Sequence, residues 1–364
     1  MRIKRNILRR TFFHIICWLM PLMVVLSFIA CTKDGDTIYV DDDQTEDTRP
    51  IVYFIYKGGS LGDLSYVDNL WRGIAKATDD GNMLFSLAEL PKDTAEMDLA
   101  LSIFFECMLN MDSNRPTLVV LANDNLEPIV HRYESALAEC PNVSVLLAES
   151  KDTTILCNTI CLSGSGAYYQ AGRVTARCLT DVDSIFIATA NPTDQSIADM
   201  RKAFCRGIDD GETETGRVIG VDNFYVSNTS GGFDKADSIY RMSYDIDPKY
   251  QLVLPICGGT MQGFLRYNRE HSSSFYTIGV DADMQQYSTR VPFSIVKHID
   301  DAVEDWIGRW AKGETMERHL NYGLSSGYIE LVVADRYKQV TGNAVEDLFQ
   351  AAVEKEEEYE KTNN

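Results

Sequence analysis

The chain has 364 residues, with 34 Lys and Arg against 54 Asp and Glu, and a formal net charge of −20. That length exceeds a single core, since domains usually run roughly 100–200 residues, and a chain 45% hydrophobic and 24% charged has the composition of a folded protein. The acidity excludes nucleic-acid polymers, which need Lys and Arg to replace condensed counterions, and it excludes docking through a basic patch on an anionic membrane.

Residues 1–30 run against this character. They hold Arg2, Lys4, Arg5, Arg9 and Arg10 and no acid, so the rest of the chain carries −25. An apolar run follows over 11–30. A basic n-region, an apolar h-region and a small residue at its end make a secretory signal. A membrane-spanning anchor needs about 20 apolar residues, and His14 and Pro21 interrupt this run. The segment Ser27-Phe28-Ile29-Ala30-Cys31 resembles a bacterial lipobox, with Phe28 in place of the usual Leu. Such a signal implies a lipidated Cys31, a membrane held through N-terminal lipid, and a place in the bacterial cell envelope. Residues 31–49 are polar and acidic and read as a solvated tether.

The body alternates short apolar runs with amphipathic stretches. Strands are predicted over 51–56, 83–87, 117–122 and 143–147, and helices over 66–77, 94–109 and 126–138. After Leu162-Ser163-Gly164 the cycle restarts. Helices are predicted over 167–179, 197–209, 233–242, 261–268, 296–311 and 345–359. Strands are predicted over 184–188, 217–221, 251–255, 275–280 and 328–333. Such alternation implies βαβ units and parallel sheets. Two runs of it imply two α/β lobes, with ligands bound at the carboxyl ends of the strands. No period of 20–50 residues repeats.

Seven cysteines lie beyond Cys31: Cys107, Cys140, Cys157, Cys161, Cys178, Cys205 and Cys257. An odd number cannot pair completely. No Cys or His pair sits at zinc spacing beside Cys157 and Cys161. These residues read as buried thiols, each a small hydrophobe, and no metal or cofactor is expected.

Several strand-to-helix turns carry a resemblance. The first runs from Gly58-Gly59-Ser60 through Asp63, Ser65 and Tyr66 to Trp71-Arg72-Gly73. The middle segment is Gly166-Ala167-Tyr168-Tyr169-Gln170-Ala171-Gly172, and Gly258-Gly259 follows a strand. The last turns are Gly279-Val280-Asp281-Ala282-Asp283, then Val296-Lys297-His298 and Tyr322-Gly323-Leu324. In this order they resemble the basic membrane protein family of solute-binding lipoproteins, which includes purine nucleoside receptors. The resemblance covers roughly residues 51–333.

It implies an α/β fold of the type I periplasmic-binding-protein kind, with two Rossmann-like lobes, a hinge and a central cleft. Residues 50–163 with 293–318 would form the first lobe, 164–292 with 319–345 the second, and 346–364 a terminal helix and tail. It implies no enzyme, but capture of a small polar ligand, a nucleoside first, for an ABC permease or sensor partner. A carboxylate accepts protons from adjacent sugar hydroxyls and an ammonium donates to their oxygens. Similarity assigns those roles to Asp281 and Lys297, although Asp281 could also cap a helix and Lys297 could be a solvated surface lysine. Tyr66 falls on the base-stacking aromatic; packing on the helix below is its other role. Asp63 and Ser65 line or cap the first turn, and Gly258 and Gly259 allow close backbone approach.

The chain departs from the family at Val67, at Asn228-Thr229 where a second aromatic is expected, at Asn123-Asp124, where Asn123 could offer a new polar contact, and at His298 in place of Arg. A different sugar-like ligand, a protein-interaction role on the same fold, and a nucleoside-processing enzyme are the competing functions. No nucleophile elbow or Walker loop supports the last.

Overall fold

The structure is a computed structural model that describes residues 47–363, except 59, 63, 111–113, 123–125 and 273. Two parallel sheets face each other. The first takes strands β1 (Ile51–Lys57), β2 (Leu84–Leu90), β3 (Thr117–Ala122), β4 (Val143–Ala148) and β5 (Asn158–Leu162), with helices α1 (Tyr66–Asp80), α2 (Thr94–Leu109) and α3 (Glu127–Ala138) between them. β3 is buried along its whole length, as expected of a central strand covered by helices on both faces. α1 buries Val67, Leu70, Ile74 and Ala77, a stripe at helical spacing. Asp93 starts α2 by accepting from the Ala95 and Glu96 amides at 2.9 and 3.1 Å.

The second lobe opens with α4 (Ser165–Cys178). Strands β6 (Ser184–Thr189), β7 (Gly220–Tyr225), β8 (Leu252–Ile256) and β9 (Tyr276–Thr277) follow, with helices α5 (Gln195–Thr215), α6 (Ala236–Ile246) and α7 (Gln262–Glu270). A single residue, Ile278, separates β9 from β10 (Gly279–Asp281), and its amide donates to Val253 O of β8 at 3.0 Å. The ladder therefore continues through β10 to β11 (Phe293–Lys297) and to β13 (Ile329–Val333), which is antiparallel. Helix α8 (Ile299–Ala311) packs on α1 of the first lobe, and α10 (Ala344–Asn363) packs on α4 of the second, after the short α9 (Lys338–Thr341). Among the described residues no helix is long and apolar enough to cross a membrane.

Three segments cross between the lobes: Ser163 and Gly164, His298, and residues 323–328. This corrects the expected division at two places. Residues 293–297 form a strand of the second sheet, where a helix start in the first lobe was expected. β12 (His319–Tyr322), expected in the second lobe, pairs in parallel with β5 at the edge of the first sheet, Tyr322 opposite Leu162.

Helices α4 and α5 meet backbone to backbone. A Cβ on Gly172 would lie 2.3 Å from Phe204 O, and one on Gly207 would lie 2.1 Å from Tyr169 O. Gly172→Ala is therefore expected to cost roughly 1–3 kcal/mol by overpacking. A denaturant midpoint equal to that of the parent would show that the helix pair has slack.

All seven cysteines of the described region are free. The expectation of buried thiols holds for Cys161 and Cys257; Cys107 is exposed and the other four are half-buried. Burial pushes the Cys161 thiol up to about 12, which keeps it protonated and inert.

Candidate functional site

The carboxyl ends of both sheets face one cleft, with a cavity of about 1120 Å³. Its floor is a charged constellation drawn from both lobes. Lys297 ends β11, its side chain 8% exposed, and its Nζ donates to Glu149 Oε2 at 2.8 Å. Glu149 follows β4, and its Oε1 accepts from the Leu162 amide at 2.9 Å. Asp281 ends β10; its carboxylate accepts from the Ser65 hydroxyl, and its backbone carbonyl accepts from Asn69 Nδ2 at 3.3 Å.

Both acids sit in the left-handed region, Glu149 at φ 59° and Asp281 at φ 66°. Such backbone is costly for a residue with a Cβ and clusters at ligand sites. Burial pushes the Asp281 carboxyl up, while the Lys297 charge and the Ser65 hydroxyl hold it back. Burial opposes the Lys297 charge, but Glu149 and then Asp281 outweigh it and its pKa rises. The ammonium is thus fixed on the floor against Glu149, with Asp281 close enough to add to its raised pKa.

The walls are aromatic. Tyr66 opens α1, lines the cleft, and donates its hydroxyl to Ala148 O at 3.2 Å. Phe233 lines the facing lobe beside Gly258, whose φ of 50° suits glycine; a Cβ there would meet the Phe233 ring at 3.2 Å. At the mouth, Gln262 Nε2 reaches across the lobes to Gly62 O at 3.3 Å.

Of the residues named from sequence, Tyr66, Gly258, Gly259, Asp281 and Lys297 line this cavity. Ser65 is fully buried and holds the Asp281 carboxylate. Cys31, Asp63 and Asn123 lie outside the described residues. Sequence reasoning passed over Glu149, although it follows an apolar strand as Asp281 does. It also left open which ring faces Tyr66's lobe. Phe224 stacks on Phe186 at the edge of the second sheet, centroids 5.9 Å apart, and Phe233 is the ring in the cleft.

Residues 51–362 match the family model described as ABC transporter substrate-binding protein, PnrA-like. The chain belongs to that family. Family membership carries a small-molecule ligand, a permease partner and a place outside the cytoplasm. No curated protein matches the sequence. Among solved structures, this PnrA-like chain is similar to an ABC transporter solute-binding protein from Aeropyrum pernix K1, at TM-score 0.65 and 16% identity, over 85% of this chain and 86% of that one. It is similar to a periplasmic solute-binding protein from Actinobacillus succinogenes 130z with bound D-allose, at TM-score 0.57 and 11% identity, over 81% of this chain and all of the other. It is also similar to a transcriptional activator of the comK gene from Bacillus halodurans, at TM-score 0.59 and 14% identity, over 82% and 98%. At these identities the likeness establishes the fold: two α/β lobes of the type I periplasmic-binding kind.

Proposed function

We propose that this substrate-binding protein captures a neutral nucleoside between its lobes, closes on it by hinge motion, and presents the closed form to a permease while held to a membrane by lipid on Cys31. The observation that carries this reading is the floor constellation of Glu149, Lys297 and Asp281 between two aromatic walls. The two acids and one ammonium leave a net negative floor, which suits the hydroxyls of a sugar and repels a phosphate. Tyr66 and Phe233 offer faces for a base, and stacking of this kind is worth roughly 1–3 kcal/mol per base. A ligand that contacts both lobes favours the closed state by its differential affinity. The protein performs no chemistry on the ligand in this reading. A free sugar is the second reading, favoured by the D-allose in a neighbour of the same fold.

The test is thermal unfolding of the purified protein against adenosine, guanosine, inosine, D-ribose and D-allose. A ligand of the folded state raises the melting temperature by mass action. Nucleosides are expected to give the larger shift; no shift with any of the three sinks the nucleoside reading, and a shift with the sugars alone establishes the second. Asp281→Ala is expected to weaken binding at least tenfold, from loss of a charged acceptor worth roughly 1.5–3 kcal/mol. Full affinity in that variant removes Asp281 from the site.

A further inference from the structure

The mechanism above leaves two buried hydroxyls on the cleft floor unused. Tyr168 and Ser163 are each 1% exposed and both line the cavity. Neither the Tyr168 hydroxyl nor the Ser163 hydroxyl has a hydrogen-bond partner among the described residues. A buried donor left unpaired costs roughly 1–3 kcal/mol, so native chains rarely keep two at one place without a purpose. The place is specific. Ser163 lies in the first crossing between lobes, and Tyr168 is in the first turn of α4, directly after it. A side chain on the intervening Gly164 would meet the Tyr168 ring at 3.2 Å and Lys297 Cε at 3.6 Å. The phenol and the Lys297 stem therefore pack against the same hinge residue, and the buried Tyr168 hydroxyl lies near Asp281 and Glu149 of the floor.

We infer that Tyr168, with Ser163, forms a hydroxyl-reading subsite of the cleft, in which the Tyr168 Oη–H donates to a hydroxyl oxygen on the sugar end of the ligand. Burial, with Asp281, Cys257 and Glu149 nearby, keeps the phenol protonated and so a donor. The ligand is then oriented sugar inward, with its flat portion out between Tyr66 and Phe233. A site built to pair a hydroxyl discriminates strongly against analogues that lack it, because its own polar groups are left unpaired. This inference rests on the reading of the cleft as a nucleoside or sugar site and adds which end enters first and which residue reads it.

The experiment measures affinity and melting temperature for the parent protein, Tyr168→Phe and Ser163→Ala. The probes are adenosine, 2′-deoxyadenosine, 3′-deoxyadenosine and D-ribose. Tyr168→Phe is expected to weaken adenosine about tenfold or more while leaving the melting temperature of the unliganded protein unchanged or higher, since it removes an unpaired donor. One deoxy analogue is expected to bind the parent and Tyr168→Phe equally, which identifies the hydroxyl that Tyr168 reads. A lower melting temperature in unliganded Tyr168→Phe means that the hydroxyl serves the fold, and overturns the inference. So does adenosine affinity unchanged by the substitution. If the parent binds none of the probes, the reading of the cleft fails, and the subsite fails with it. Binding by the parent with no effect of Tyr168→Phe overturns the subsite alone.

Discussion

Lys297→Met is expected to lose ligand binding and to destabilise the unliganded protein by roughly 3–5 kcal/mol, the range for breaking a buried ion pair by removing one partner. Lys297 sits with its side chain 8% exposed against Glu149, whose side chain is 20% exposed. The ammonium draws its raised pKa from Glu149 and Asp281 together. Methionine fills the stem's volume but leaves the two carboxylates of the floor without the ammonium that both feel. Glu149 then loses its 2.8 Å ion pair, and Asp281 loses the nearby positive charge that holds its carboxyl down. The double variant Glu149→Gln, Lys297→Met separates this from lost packing. With the charge on both sides removed, much of the stability is expected to return, since a buried pair replaced on both sides is often near neutral. Binding is not expected to return. A single variant as stable as its parent, by denaturant midpoint at unchanged slope, would mean that the pair contributes nothing to the fold.

Much of this architecture was legible in the sequence, for a physical reason that differs from element to element. The strand Thr117–Ala122 reads clearly because both of its faces are buried and every position is apolar or small. α1 reads clearly because its buried residues recur every three to four positions. The strand Phe293–Lys297 does not read as one: its last two residues fall in the helix predicted from 296, and periodicity cannot divide so short a stretch as Ile295, Val296 and Ile299 around Lys297-His298. His319–Tyr322 offers no run at all. Two of its four residues are polar, and it becomes a strand only because β5 presents an open edge.

The site divides in the same way. Asp281 is legible because it follows an apolar strand in a family-like motif, and Lys297 through its family-like motif alone, since its strand does not read as one. Tyr168 could not be singled out from its helix, because α4 is buried nearly all round and periodicity there does not mark which side chain opens on the cleft. Phe233 belongs to a turn whose approach to Gly258 is set by the fold of the second lobe rather than by local pattern.

The folded protein is expected to lose stability as the pH rises from 5 to 8, by an amount of which Glu356 alone contributes roughly 3 kcal/mol. Glu356 lies on α10 and is 4% exposed. Its Oε1 accepts from the Gly166 amide in the first turn of α4 at 3.0 Å, and its Oε2 accepts from the Leu324 amide in the third crossing at 2.6 Å. One carboxyl group thus ties the terminal helix to the third crossing and to the helix turn that directly follows the first. Burial pushes it up from 4.5 to about 7; the two amides and Lys151 pull the other way, and Glu360 adds to the rise. Between those two values the folded chain holds a proton that the unfolded chain has released. The contribution is therefore fully present below about 4.5 and is lost as the pH climbs through 7. Glu356→Gln keeps the shape and one acceptor but cannot ionise. The variant is expected to be less stable than its parent at pH 5, where its NH₂ faces an amide donor, and to close or reverse that gap by pH 8. Urea unfolding of both proteins at pH 5, 6, 7 and 8 measures the gap directly, and the other titrating groups cancel in the difference. A gap that stays constant across the series would mean that Glu356 is not the titrating group. If the gap closes as expected, the same comparison made with ligand present tests whether the hinge feels the proton, since a charge that strains the crossings in only one lobe arrangement must shift affinity as well as stability.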